Sequence, residues 1–253
     1  MITLTSTQLN AWLAAVIWPL TRVLAVVATA PLLGSQKIPV TIKIGLSLLI
    51  TAVIVPMLDP MPPIDPASGE GLLVLVNQLL VGSAMGFVMG LVFNAIELAG
   101  DIAGLQMGLG FAVFYNPVTS SQTPVIGQFL GLLATLVFLA INGHLLVITA
   151  LSESFRALPV AGNALSAFGW NVVAAFGAKI FLAAVAMALP IIVTMLTVNL
   201  ALGVLTRAAP QLNIFAIGFP ITVSVGLVGM LLTLPMMQVP FTMALERMLQ
   251  YFR

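Results

Sequence analysis

The chain has 253 residues, of which 61% are apolar and only 6% are Asp, Glu, Lys or Arg, against about 45–50% and about 25% in an ordinary soluble domain. Eight Lys/Arg and seven Asp/Glu side chains are too few to cover a soluble body of this size, whereas apolar stretches of about 20 residues match the hydrocarbon of a bilayer. The composition therefore excludes a water-soluble globular protein, and a net charge of +1 without a Lys/Arg run leaves no footprint for nucleic acid and no polybasic lipid patch.

Six hydrophobic stretches follow one another along the chain. The N-terminal segment, Met1 to Asn10, is polar and uncharged; it lacks the positive region of a cleaved signal peptide, so the first apolar stretch is expected to be retained. That stretch, Leu9 to Ala30, carries Pro19 and Arg22, and the second, Ile38 to Met57, begins with Pro39 and has Lys43 one turn in. Between the second and third, Asp59 to Glu70 holds four prolines and three acids, a composition that forbids helix and marks an exposed loop.

The third stretch, Leu72 to Gly110, would be about 58 Å long as a helix, roughly twice the hydrocarbon thickness. Either it breaks near Glu97 and Asp101, or it projects out of the bilayer into an assembly. The fourth stretch runs Val125 to Leu151, the fifth Val172 to Leu205 and the sixth Ile214 to Val239; Pro190, Pro220 and Pro235 fall in the last two, where they predict kinks or broken helices. An amphipathic tail, Met243 to Arg253, closes the chain. The positive-inside test is a tie: Lys37, Lys43 and Arg207 fall on one side of a six-span topology, Arg156, Arg247 and Arg253 on the other.

Four constellations stand out. Gly82, Gly86 and Gly90, then Gly100, Gly104 and Gly108, recur every four residues on one helix face, where missing side chains let another helix approach; the neighbour is either another subunit or another helix of this chain. Glu97 and Asp101 are also four apart, two carboxylates side by side in apolar surroundings. Such a pair needs a cation, a proton or water, and Arg22, Lys179 and Arg207, or a basic residue of another subunit, are the expected buried partners; the alternative is a water-filled, proton-sensitive path. The run from Gln106 to Pro124 passes from glycine-rich helix through Phe111, Phe114 and Tyr115 to Asn116-Pro117 and small hydroxylated residues, a loop with a hydrophobic tip. It reads equally as a buried connection or as a constriction that excludes water from a pore.

No catalytic arrangement emerges. The intramembrane aspartyl protease motif Gly-x-Gly-Asp is not met by Leu98-Ala-Gly-Asp101, no Gly-x-Ser-x-Gly accompanies the lone histidine, His144, and no phosphate-cradling loop ends in Lys-Ser/Thr. His144, after Asn142-Gly143 in an apolar helix, is expected to be a hydrogen-bonded interior residue. With no cysteine there is no disulfide, thiolate or Cys-based metal site, and neither a metal nor a cofactor is expected.

One segment is far more specific, Arg207-Ala-Ala-Pro-Gln-Leu-Asn-Ile-Phe-Ala-Ile-Gly-Phe-Pro220. It resembles the signature of the FliR/SctT family of type III secretion export-gate proteins in its flagellar form. Arg22 with Ala30-Pro31, Ile38-Pro39 before Lys43-Ile-Gly-Leu46, Glu97 with Ala99-Gly-Asp101, Gln106-Met-Gly108, and Ser154-Phe155 with Leu158-Pro159 follow in the family's order, so the likeness covers the chain as one domain. It departs at Asn116-Pro117, where the family has Asp-Pro. The resemblance implies long, bent and proline-broken helical hairpins, the early part similar to FliP and the later part to FliQ, packed with FliP and FliQ relatives into a helical channel. FlhB and FlhA relatives would dock on it, and unfolded flagellar proteins would pass through it. It implies a place in the bacterial inner membrane at the flagellar basal body, drawn largely out of the bilayer plane on the periplasmic side. It also gives Phe111, Phe114, Tyr115, Asn116 and Pro117 the role of a plug, and Pro210, Gln211, Leu212 and Asn213 that of a loop between hairpin arms. Membrane lipid is expected as a further partner. An equivalent subunit of a virulence-type secretion system, a small-solute secondary transporter and a passive membrane scaffold are the rival readings.

Overall fold

The computed structural model describes residues 6–110, 124–160, 170–209 and 214–250. Every regular element among the described residues is helical: α1 (Ser6–Thr29), α2 (Val40–Ile54) with a 3₁₀ turn at Val55–Met57, α3 (Gly69–Gln106), α4 (Val125–Ala140), α5 (Gly143–Ala157), α6 (Trp170–Ala208) and α7 (Ile214–Gln250). Among the described residues five helices are each long and apolar enough to cross a membrane, and α4 with α5 make a sixth if that broken pair counts as one span.

The third stretch is one uninterrupted helix of 38 residues; Glu97 and Asp101 do not break it. Of the two outcomes expected at the prolines of the last two stretches, a kink or a break, no break occurs: α6 continues through Pro190 and α7 through Pro220, Pro235 and Pro240. A proline removes one backbone donor per site, and in apolar surroundings every other backbone group still does best inside the helix. The break falls instead in the fourth stretch, at Asn142, whose backbone is left-handed with φ 56° and ψ 33°. Asparagine tolerates that conformation better than other chiral residues. His144 therefore sits in the first turn of α5 and is exposed, a correction to its expected interior place: the Asn142 turn restarts the helix just ahead of it.

The chain divides into two compact units. The first takes residues 1–91, 139–177 and 245–253. In it α1 and the first half of α3 bury Ala14, Trp18, Val23, Val26, Val81, Met85 and Val88, and α2 follows α1 through a turn at Pro31-Leu32, where Leu32 has φ 75°. Lys43 Nζ donates to the Gly34 carbonyl at 2.9 Å across that turn. The second unit takes residues 92–138 and 178–244. Phe93 on α3 stands edge-on to Phe138 of α4 and Phe241 of α7, with ring centroids 5.5 Å and 5.6 Å apart, in the T-shaped geometry that aromatic rings prefer. Burial is unequal: 61% of the most apolar window of α3 is buried within the chain, against 17% for those of α2 and α7. The apolar faces of α2, α6 and α7 thus remain to be covered by lipid or by other chains.

Candidate functional site

Three arrangements concern the residues singled out by sequence. In the first unit, Arg22 is fully buried. Its Nε donates to Gln78 Oε1 of α3 at 2.8 Å. Its Nη1 donates to the Ser154 carbonyl at 2.9 Å and the Ser154 hydroxyl at 3.1 Å, and Nη2 donates to the Leu158 carbonyl at 2.8 Å. The guanidinium carbon lies 4.0 Å from the centre of the Phe155 ring. The last carbonyls of a helix have no partner within it and carry its negative end, so the planar fork of Arg22 closes the C-terminus of α5 and offsets its own charge there without a carboxylate. This corrects its expected pairing with Glu97 and Asp101. Gln78 was not picked out by sequence, but Ser154, Phe155 and Leu158 stand in the segments that carried the family resemblance.

In the second unit, Glu97 and Asp101 lie against α4 where it has no side chains. A Cβ on Gly131 would come 2.5 Å from Glu97 Oε1, and one on Gly127 would collide with Asp101 Oδ1. Arg22, one of their expected partners, is committed elsewhere, to Gln78, Ser154 and Leu158. Of the charges expected to be buried only Arg22 is; Asp101 is half-buried, and Glu97, Lys179 and Arg207 are exposed on this chain.

Four ladder glycines of α3 face other helices of this same chain. A Cβ on Gly82 would strike the Arg22 carbonyl and come 2.7 Å from Ala25 Cβ, and one on Gly86 would meet the backbone of Ala30 at 2.8 Å. Gly100 faces Gly127 of α4, whose Cα would lie 2.7 Å from an added Cβ, and Gly104 faces Ile126 at 3.5 Å. Gly90 has open space beside it, so it is the one ladder position within α3 that these contacts leave free. Gly108 belongs to a different device. Its φ is +82°, its N–H donates to the Leu105 carbonyl and the Leu109 N–H to the Gly104 carbonyl, both at 3.0 Å. That is the Schellman ending of a helix, whose left-handed position favours glycine. Phe111, Phe114, Tyr115, Asn116 and Pro117, and the motif Pro210, Gln211, Leu212 and Asn213, lie outside the described residues.

The family described as bacterial export proteins, family 1, matches residues 13–248, a range that includes parts of both units. The chain is 43% identical over 236 residues to the flagellar biosynthetic protein FliR of Escherichia coli (strain K12), a match covering 93% of this chain and 90% of that protein. It is 42% identical over 236 residues to the protein of the same name from Pectobacterium carotovorum subsp. carotovorum, with the same coverage of 93% and 90%. To that of Buchnera aphidicola subsp. Schizaphis graminum (strain Sg) it is 38% identical over 252 residues, 100% of this chain and 97% of the relative.

Proposed function

The chain belongs to family 1 of the bacterial export proteins, and from that premise we propose that it is the subunit which, with FliP and FliQ relatives, builds the channel of the flagellar export gate in the bacterial inner membrane. Membership of the flagellar export apparatus follows from relatives named for flagellar biosynthesis that align over nine-tenths of the chain, and its helices are of membrane-embedded type. The gate role goes further. The observation that carries it is the imbalance of burial: α7 buries 17% of its most apolar window, and Leu231, Leu232 and Met236 on it are 63%, 73% and 65% exposed. Long helices with such faces are built to be covered, and in an export apparatus neighbouring subunits supply that cover.

In this reading the chain conducts rather than catalyses. Unfolded flagellar proteins pass through the assembly, energy comes through partner components, and FlhB and FlhA relatives dock on it. Phe111 to Pro117 serve as the plug that closes the resting channel, apolar groups in a constriction excluding water and with it ions. Pro210 to Asn213 connect two hairpin arms. Purification of the chain with FliP and FliQ relatives, followed by conductance measurement, tests the proposal: a stable complex is expected, with an ion leak that rises when Phe111 to Pro117 are deleted. A chain that remains monomeric and moves a small solute across liposomes overturns the gate reading in favour of a transporter.

A further inference from the structure

The C-terminal end of α3 is held by one face of α7, and that grip, at Met107 and Gly108, lies three to four residues before Phe111, where the aromatic segment begins. The Schellman turn occupies the carbonyls of Gly104 and Leu105, but the carbonyl of Met107, at the C-cap, is left over. Met107 is fully buried, and a buried carbonyl without a donor is costly. Thr222 of α7 answers it: its hydroxyl lies 3.0 Å from the Met107 oxygen, with the threonine itself 9% exposed. One turn further along α7, Gly226 leaves a notch filled by the Met107 side chain, whose Cε and Sδ would each lie 2.8 Å from an added Cβ. One turn back, the Phe219 ring lies beside Gly108, 3.6 Å from where a Cβ would stand. Residues 219, 222 and 226 fall on one helical face, so α7 presents a ring, a hydroxyl and a gap in register with the turn that ends α3.

We propose that this face is the socket that fixes where the chain leaves α3, and that Thr222 is a positioning residue of the gate, acting through the Met107 carbonyl on the segment that follows. The inference rests on the reading of Phe111 to Pro117 as the closure of the channel. Thr222 also has a second acceptor. Its single hydroxyl proton lies equally close, at 3.0 Å, to the Phe219 carbonyl of its own helix. The proton moves from Met107 to Phe219 by rotation about one bond and is never left without an acceptor, so the contact releases and re-forms without a buried donor being stranded. A valine at this position keeps the shape and loses the proton; a serine keeps the proton.

The test uses the complete complex with FliP and FliQ relatives in a lipid bilayer, with resting ion conductance as the readout. Thr222→Val is expected to raise the leak about fivefold, the population shift that follows from losing one net hydrogen bond, and Thr222→Ser to bring it back to the unsubstituted level. In a complex already lacking 111–117, Thr222→Val should add nothing, because it acts through that segment. A Thr222→Val complex that conducts like the unsubstituted one, beside a deletion that leaks, overturns the role of Thr222 and leaves the gate reading standing. If the deletion itself does not leak, the gate reading falls and this inference with it. Should Thr222→Val fail to assemble, Gly226→Ala serves in its place, since its methyl must push the flexible Met107 side chain aside; an assembled Gly226→Ala complex without added leak overturns the socket.

Discussion

The two units place charged side chains in opposite ways. In the first unit a charged group is taken fully out of solvent, and Arg22 is satisfied by Gln78, by the Ser154 hydroxyl and by the terminal carbonyls of α5. In the second unit two carboxylates, Glu97 and Asp101, rest on glycines of α4. A guanidinium offers five donors and a helix end offers carbonyls, so a lone arginine is accommodated by neutral acceptors, two carbonyls, an amide oxygen and a hydroxyl. A carboxylate only accepts, and the N–H groups of a continuous helix are already used. The comparison teaches that a buried cation can belong wholly to the fold of its own chain, whereas an acidic pair in an apolar helix needs a donor from outside it.

The largest expected effect breaks the first half of that comparison. Arg22→Met takes the donor from the Leu158 carbonyl and the Gln78 oxygen in a closed interior, while the Ser154 carbonyl keeps the Leu158 N–H, and should cost about 3–5 kcal/mol of stability. Arg22→Lys should recover only part of this, because an ammonium cannot span acceptors on two elements as the planar fork does. Thermal unfolding of the purified protein in detergent measures both, and an Arg22→Met protein as stable as the parent would refute the role assigned to the arginine. Next in size is the packing of the ladder. Gly82→Leu or Gly100→Leu drives a side chain into backbone or a neighbouring Cβ and should cost about 1–3 kcal/mol, while Gly90→Ala, with open space beside it, should be neutral or gain about 0.5–1 kcal/mol. Equal losses at Gly90 and Gly100 would show that the ladder is filled by another subunit after all.

The smallest effect on the fold sharpens the second half. Glu97→Gln and Asp101→Asn keep shape and should change the unfolding free energy by less than about 0.5 kcal/mol, yet reduce the yield of complex with the FliP and FliQ relatives and impair assembly more than they alter its proton dependence. A normal complex with a displaced pH profile would assign the pair to a proton path instead of an interface.

The amino-acid sequence by itself determined the helical class, the starts of the hydrophobic stretches to within a few residues and the family, because apolar runs and local motifs are properties of neighbouring residues; the ends of the fourth and sixth stretches it misplaced. It also singled out some of the right segments without their reasons, Arg22, Ser154-Phe155, Gln106-Met-Gly108 and, within Arg207 to Pro220, Phe219, whereas Gln78, Thr222 and Gly226 went unmarked. Only the tertiary structure decided which of these meet. It gave Arg22 to the end of α5 rather than to Glu97 and Asp101, carried α6 and α7 through their prolines, broke the chain at Asn142, and turned the last glycine of the ladder into a helix ending. Hydrogen bonds such as Arg22 to Ser154 or Thr222 to Met107, 132 and 115 residues apart, leave no periodic trace. What fixes them is the cost of leaving such a donor or acceptor buried without a partner, and these partners meet only once the helices are side by side.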